Sequence, residues 1–297
     1  MGIPPAELRI DALNVRELLC RQHPDLAELA LSAVASGWDN AIFRLGEHLA
    51  LRLPRRAPAA ALVLNEQRWL PLLAPLLAPL LALKIPVPIR VGVPQDWYPW
   101  AWSIVPWIDG ETADLAPPHE DQAEVVAEFF KALHQSAPAE APRNPYRGVP
   151  LAQREETFGQ RVARLRGRTD AIDASIIAIW NEALAAPNDA ACTWIHGDLH
   201  PRNVLCAGGR IEGIIDWGDI AQGDRASDFA AIWMLFAQPE ARHRAKAACP
   251  SVSSATWARA KGWAALYAVI FLDAALGSDP GMVAIAERIL ERLKQDP

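Results

Sequence analysis

Trp194-Ile195-His196-Gly197-Asp198-Leu199-His200-Pro201-Arg202-Asn203-Val204-Leu205, followed by Ile211 to Asp219, is the stretch of this 297-residue chain from which the rest can be read. Val204-Leu205-Cys206 and Ile211-Glu212-Gly213-Ile214-Ile215 are strand-like, and Ala207-Gly208-Gly209-Arg210 between them has the composition of a hairpin turn. A hairpin returns Asp216 to the end where Asn203 began, so an amide oxygen and a carboxylate can share one metal ion. Oxygen ligands of that kind suit magnesium, which takes one or two protein carboxylates and fills its octahedron with phosphate and water. Asp198 precedes Asn203 on an apparently irregular loop, and His196 is expected to brace that loop by hydrogen bonding.

The spacing His-x-Asp-Leu-x-x-x-Asn, then Asp-aromatic-Gly, is the protein-kinase pattern, with Gly197 in place of arginine and Trp217 in place of phenylalanine. In that pattern a carboxylate on the loop accepts a hydrogen bond from an alcohol and takes its proton as a phosphoryl group is transferred. The segments His196 to Asn203 and Ile215-Asp216-Trp217-Gly218-Asp219 resemble the aminoglycoside phosphotransferase family, small-molecule kinases of protein-kinase-like fold. The resemblance covers nearly the whole chain, including Trp102-Ser103-Ile104-Val105-Pro106-Trp107-Ile108-Asp109-Gly110. It implies that Asp198 is the catalytic base and that Asn203 and Asp216 hold Mg2+. Asp228 would steady the catalytic loop together with His196, and the backbone at Val105, Pro106 and Ile108 would hydrogen-bond the purine of ATP or GTP.

One departure bears on nucleotide binding. Where most kinases carry a lysine on the third strand, this chain has Arg52, in Leu49-Ala50-Leu51-Arg52-Leu53-Pro54-Arg55-Arg56. Arginine keeps the charge and can grip phosphate bidentately, but its planar fork is not equivalent to a lysine point charge. Macrolide phosphotransferases of the same superfamily carry a similar Arg-aliphatic-Pro-Arg-Arg run. Glu66, on the next helix, is placed to pair with Arg52. Ser36-Gly37-Trp38-Asp39-Asn40 has a single glycine and reads either as a turn covering the phosphates, with Ser36 and Gly37 in contact, or as an ordinary hairpin turn. Arg55 and Arg56 read as solvated surface residues, and the tryptophans Trp97, Trp100, Trp102 and Trp107 as core.

Outward from these motifs, Ala33 to Ala35, Ala41 to Leu45 and Leu49 to Leu53 are expected to form three antiparallel strands, followed by a helix from Ala59 to Leu70. Prolines 71, 75 and 79 then remove helix donors, so the Leu-Leu-Ala-Pro repeat reads as a helix end and a connection. Strands at Ile89 to Val93 and Ala101 to Trp107 complete a small sheet with one helix on it. Beyond Asp109-Gly110 the pattern is mainly helical: Glu120 to His134, Gln153 to Gly167, Ala171 to Ala185, Arg225 to Phe236, Ser254 to Leu276 and Pro280 to Lys294. The expected architecture is α+β and bilobal, with a nucleotide lobe over 1–105 and a catalytic and acceptor lobe over 106–297.

Composition narrows the partners. With 51% hydrophobic residues the chain is too apolar for wholesale disorder, and a net charge of −6 argues against non-specific nucleic-acid binding. Four scattered cysteines with no Cys-x-x-Cys pair fit a reducing cytoplasm. No basic, apolar leader opens the sequence, and Trp69 to Leu83 is too short and too proline-rich for a membrane span. The reaction expected is transfer of the gamma-phosphate of ATP or GTP to a hydroxyl of a small molecule, with an aminoglycoside or macrolide antibiotic as acceptor. A metabolite kinase of the same fold and a noncatalytic nucleotide-binding protein are the alternatives. A metal hydrolase using His196, Asp198 and His200 would leave the Asn203/Asp216 hairpin unexplained.

Overall fold

The computed structural model describes residues 5–77, 83–189 and 191–296. Helix α1 (Ala12–Gln22) precedes strands β1 (Leu31–Ser36), β2 (Asn40–Leu45) and β3 (Leu49–Pro54). After helix α2 (Ala57–Leu77) come β4 (Arg90–Gly92) and β5 (Trp102–Pro106). These five strands form one antiparallel sheet in the order β1-β2-β3-β5-β4. The period of two along β3 explains what lies on each side. Leu51 and Leu53 join Phe43, Leu45, Trp100, Trp102 and Ile104 in a core closed by Val15, Leu18 and Leu19 of α1, while Arg52 points to the other face, where α2 lies. Trp100 and Trp102 are thus core residues, as the alternation predicts.

Two details differ from the sequence expectation. The sheet carries a second helix, α1, whose N-cap Asp11 accepts hydrogen bonds from the amides of Leu13 and Asn14. And α2 runs on to Leu77 through Pro71 and Pro75. An interior proline costs about 3 kcal/mol, but Leu70, Leu73 and Leu77, three and four apart, are almost wholly buried. Burying each contributes about 1.5–3 kcal/mol, so the apolar stripe is of the size needed to offset the two prolines. Pro79 and the last Leu-Leu-Ala unit lie outside the described residues.

The C-terminal part continues with β6 (Glu111–Thr112), α3 (Ala123–Leu133), α4 (Glu155–Leu165), α5 (Ala174–Ala185) and β7 (Thr193–Ile195). The hairpin β8 (Val204–Ala207) and β9 (Arg210–Ile214) follows, then β10 (Ala221–Gly223), which pairs with β7. Ala207 faces Arg210 across a two-residue turn, Gly208-Gly209, with both φ angles positive (55° and 75°), the twist that two-residue hairpins favour. The predicted helix from Arg225 to Phe236 is two short ones, α6 (Ala226–Phe229) and α7 (Ala231–Leu235). Ala230 between them keeps right-handed helical angles, so the axis tightens rather than reverses.

Helices α8 (Pro239–Ala247), α9 (Ser254–Ala275) and α10 (Pro280–Gln295) complete the chain. The long α9 is buried on nearly every side, packed by α4, α5, α6 and α10, and brings Tyr267 beneath the 194–203 loop. Its start is fixed by Ser253, whose Oγ accepts from the Thr256 amide at 3.0 Å. Ser253→Ala is expected to cost about 1 kcal/mol, read as a lower urea midpoint at unchanged m-value. Among the described residues no helix is long and apolar enough to cross a membrane.

Candidate active site

The loop between β7 and β8 is built on Asp228, the fully buried carboxylate of α6. Its Oδ2 accepts from the His196 amide at 2.7 Å and its Oδ1 from the Gly197 amide at 3.0 Å. His134 Nε2 lies 3.2 Å from Oδ2. Gly197 sits at φ 85°, and a Cβ there would come within 2.6 Å of the Asp219 carbonyl oxygen, which explains a glycine where kinases carry arginine. Tyr267 Oη donates to the Gly197 carbonyl at 2.7 Å, closing the loop from below.

His196 braces the loop as expected. Its Nδ1 accepts from the Asp198 amide at 3.2 Å, which leaves the proton on Nε2 to be donated to the Ile215 carbonyl at 3.0 Å. Burial lowers the imidazole's pKa, so the ring is neutral and spans the two motifs.

The β8–β9 hairpin does what its spacing demands: the Ile215 amide donates to the Asn203 carbonyl at 2.9 Å, bringing Asp216 back beside Asn203. Asn203 Nδ2 donates to the Asp198 carbonyl at 2.8 Å, so the other end of the amide, Oδ1, is left for a cation. Asp216 has φ 62°, the only positive φ of any non-glycine among the described residues, a strained conformation of the kind found at functional sites. Trp217, fully buried, donates to the Ile214 carbonyl at 2.9 Å and packs on His196 and Phe129. At Gly218 a Cβ would fall 2.7 Å from that of Leu62, so glycine lets α2 lie close against this segment.

Arg52 ties the sheet to that segment. Its Nε and Nη2 reach the two oxygens of Glu66 at 3.1 and 2.8 Å, and Nη2 also reaches Asp216 Oδ1 at 2.9 Å. The planar fork thus grips one carboxylate bidentately and a second from its edge, which a lysine's single nitrogen could not do. Burial pushes Glu66 up to about 7 in spite of Arg52, whose own charge is secured by the two carboxylates.

Gly37 stands at the β1–β2 turn, its amide on the Asn40 carbonyl at 2.9 Å; the backbone of Ser36 pairs with Ala41. Arg55 and Arg56, expected as solvated surface groups, brace this turn: Arg55 Nη1 donates to the Gly37 carbonyl at 2.7 Å and Arg56 pairs with Asp39 at 2.7 Å. Val105 is paired with Ala50 in the sheet, Pro106 offers no N–H, and the Ile108 amide makes no backbone bond among the described residues.

Sequence reasoning missed a group on the far side of Asp198. Arg147, from the segment before α4, places Nη2 2.7 Å from Asp198 Oδ1 and lies over the Tyr267 ring at 4.7 Å. His200 Nδ1 accepts from the Arg202 amide, so the Nε2 proton faces Asp198 Oδ2 at 3.4 Å. Burial raises the Asp198 carboxyl, but Arg147 and His200 outweigh it and hold the group below its usual range. Asp219 is pushed up to about 6, by burial first and by the charge of Asp198 second. Asn144 Nδ2 contacts it at 2.5 Å. A cavity of about 600 Å³ lined by Phe130, Lys131, His134, Arg225 and Cys249 lies behind Asp228 and includes none of these groups but His134.

Asn203 Oδ1 and the partly exposed Asp216 carboxylate are hard oxygen donors, and no cluster of three or more His, Cys, Asp or Glu among the described residues could hold a metal. That set fits magnesium carried by nucleotide phosphates better than a metal held by protein alone. A basic residue on the third strand, a glutamate on the next helix and a carboxylate loop ahead of a strained aspartate define the class: a kinase-like phosphotransferase fold.

The comparisons agree. A family profile described as "Phosphotransferase enzyme family" matches residues 30–263, and the chain belongs to that family. The structure is similar to the GDP and kanamycin complex of APH(2")-IIia, with a TM-score of 0.67 and 18% identity over 95% of this chain and 99% of that one. It is also similar to macrolide 2'-phosphotransferase type I, with a TM-score of 0.59 and 23% identity over 97% of this chain and 99% of that one. A sequence relative, the uncharacterized protein YcbJ of Bacillus subtilis (strain 168), is 27% identical over 133 residues. That match spans 43% of this chain and 42% of YcbJ.

Proposed function

We propose that the protein transfers the gamma-phosphate of ATP or GTP to a hydroxyl of a small molecule, with Asp198 as the base. The observation that carries this reading is the convergence of Asp198, Asn203 and Asp216 at one end of the β8–β9 hairpin, opposite Arg52 and Glu66. Residues 1–105 would form the nucleotide lobe and 106–297 the catalytic lobe. Ser36, Gly37 and Arg52 would lie along the phosphates, with Glu66 holding Arg52. The Ile108 amide, next to Val105 and Pro106, would meet the purine. Asn203 and Asp216 would hold Mg2+, which would supply positive charge to offset that of the phosphates.

This chain's own residues do the rest. Asp198 accepts the hydrogen of the acceptor hydroxyl, whose oxygen bonds to the gamma-phosphorus as the bond to the nucleoside diphosphate breaks. Asp228 and His196 hold the loop so that the oxygens stay in line. The four free cysteines, two of them exposed, support a reducing compartment such as the cytoplasm.

The kanamycin and macrolide phosphotransferase neighbours make an antibiotic the first acceptor class to test. A metabolite alcohol is the second, favoured by the arginine found on Asp198. Incubated with ATP or GTP, magnesium and a panel of aminoglycosides, macrolides and metabolic alcohols, the protein should phosphorylate one class, seen as a new phosphate ester by phosphorus NMR. Chelation of magnesium should stop the reaction. Transfer that survives chelation would overturn the metal assignment, and no ester with any alcohol would overturn the kinase reading.

A further inference from the structure

Asp198 is approached from two sides. Arg52, Asn203 and Asp216 occupy the side of the sheet and the hairpin, where the nucleotide phosphates belong. Arg147, Tyr267 and the segment before α4 occupy the other. In an in-line displacement the acceptor oxygen enters opposite the leaving group, so the acceptor must reach Asp198 from the side of Arg147.

That arginine is not a loose surface group. The Asn144 side-chain oxygen accepts from the amides of Tyr146 and Arg147 at 2.8 and 3.1 Å. The Gly148 carbonyl accepts from the Asp224 amide at 2.7 Å, and Gln222 Nε2 donates to the Ala141 carbonyl at 2.8 Å. The segment is thereby fastened to β10, and the guanidinium rests on the Tyr267 ring. Only Nη2 has a hydrogen-bond partner among the described residues, which leaves Nε and Nη1 to grip something else.

A second cation stands behind the first. Arg154 lies over the Tyr146 ring at 5.5 Å, has no carboxylate partner among the described residues, and its Nε is buried without a hydrogen bond. Burial and then the charges of Arg147 and Arg161 lower its pKa, so the three arginines are near one another. Arg161 is compensated by Asp273 at 2.7 Å, an acid that Arg164 also engages. Arg147 faces the carboxylates of Asp198 and Asp219, so the positive charge on this side that no carboxylate answers is that of Arg154. Together with the unengaged Nε and Nη1 of Arg147, it suits an anion better than a polycation.

We infer that the acceptor is an alcohol carrying an anionic oxyacid group, carboxylate or phosphate, which Arg147 binds with support from Arg154 while Asp198 receives the hydroxyl. This deepens the kinase reading and rests on it. Arg147 then has two tasks. Without acceptor it neutralises Asp198; with acceptor it shares its donors with the incoming anion, so that the carboxylate it was neutralising is freed to act as base. Specificity follows from charge, because a neutral or cationic alcohol cannot draw the guanidinium from Asp198.

Matched pairs test this without any mutation: glycerate and gluconate against their amides, and glycerol 3-phosphate against glycerol, with kanamycin as the cationic member. The carboxylate and phosphate arms show which oxyacid fits. The expected result is a kcat/KM for at least one acid about 10- to 100-fold above that of its neutral partner. Arg147→Gln should collapse that ratio toward one through KM, Arg147→Lys should restore part of it, and Arg154→Gln should lower it less. A wild-type enzyme that uses the amide or kanamycin as well as the acids, or a ratio unchanged in both glutamine variants, overturns the anion site and leaves the kinase intact. Calorimetric binding of the same pairs to protein holding magnesium and a non-hydrolysable nucleotide separates the remaining cases. Acid binding without transfer to any alcohol overturns the kinase reading alone, and neither binding nor transfer overturns both.

Discussion

Asp198→Asn is expected to lower the rate of phosphate transfer by about 10²- to 10⁴-fold, the usual contribution of a positioned base. Magnesium-nucleotide binding should persist, because the Arg52–Asp216 contact is untouched and the Asp198 backbone carbonyl that receives Asn203 Nδ2 is unchanged. The substitution preserves shape and removes charge, so it separates the base from a merely structural hydrogen bond. A titration provides a second readout. Asp219 sits at about 6, raised by burial and by the Asp198 charge. With that charge gone, burial and the Asp216 charge still raise it, but its pKa should move down toward the ordinary value of 3.8, followed by carboxyl carbon NMR as a function of pH. Turnover retained at the wild-type level would remove Asp198 from the chemistry, whereas an unmoved Asp219 would show that the two carboxylates do not sense each other.

The motif at His196 to Gly218 was legible because its chemistry demands fixed spacing: a loop long enough to set Asp198 against Asn203, then a hairpin of a length that returns Asp216. The sheet was legible for a similar reason, since the apolar residues that alternate along β2, β3 and β5 share one buried face, although α2 covers the other face of β3 and β5. Less could be read where the signal is spread. Helix α8 buries Ala241, Arg242 and Ala245, a face with almost no apolar contrast. Helix α1 carries a cap at Asp11 and an apolar triplet at Val15, Leu18 and Leu19, a signal of barely three turns. The prolines in α2 do not end the helix, because the leucine stripe that offsets them acts only through tertiary contacts. Arg147 could not have been found from spacing: it is 51 residues from Asp198, in a proline-rich segment whose course is set by bonds to β10.

Asp228→Ala is expected to be the most damaging change to the loop itself. The carboxylate is fully buried and satisfies two backbone amides, at His196 and Gly197, and faces His134. Alanine leaves those donors in a dry interior with no acceptor, and breaking a buried charged contact of this kind costs about 3–5 kcal/mol. Asparagine is the informative comparison: its single oxygen can satisfy one amide while its NH2 is turned toward the other, so it should recover only part of the stability. Both variants should lower the urea midpoint in that order. The kinetic consequence follows from where the two amides lie. His196 carries the Asp198 amide on Nδ1 and the Ile215 carbonyl on Nε2, so a loop loosened at residues 196 and 197 displaces Asp198 and the start of the Asp216 segment together. In the Asp228→Asn protein, held well below its melting temperature, kcat should fall at least about tenfold with a smaller change in nucleotide affinity, as expected when alignment rather than binding is lost. A fall in stability with kcat unchanged would make Asp228 a packing residue and detach it from the site.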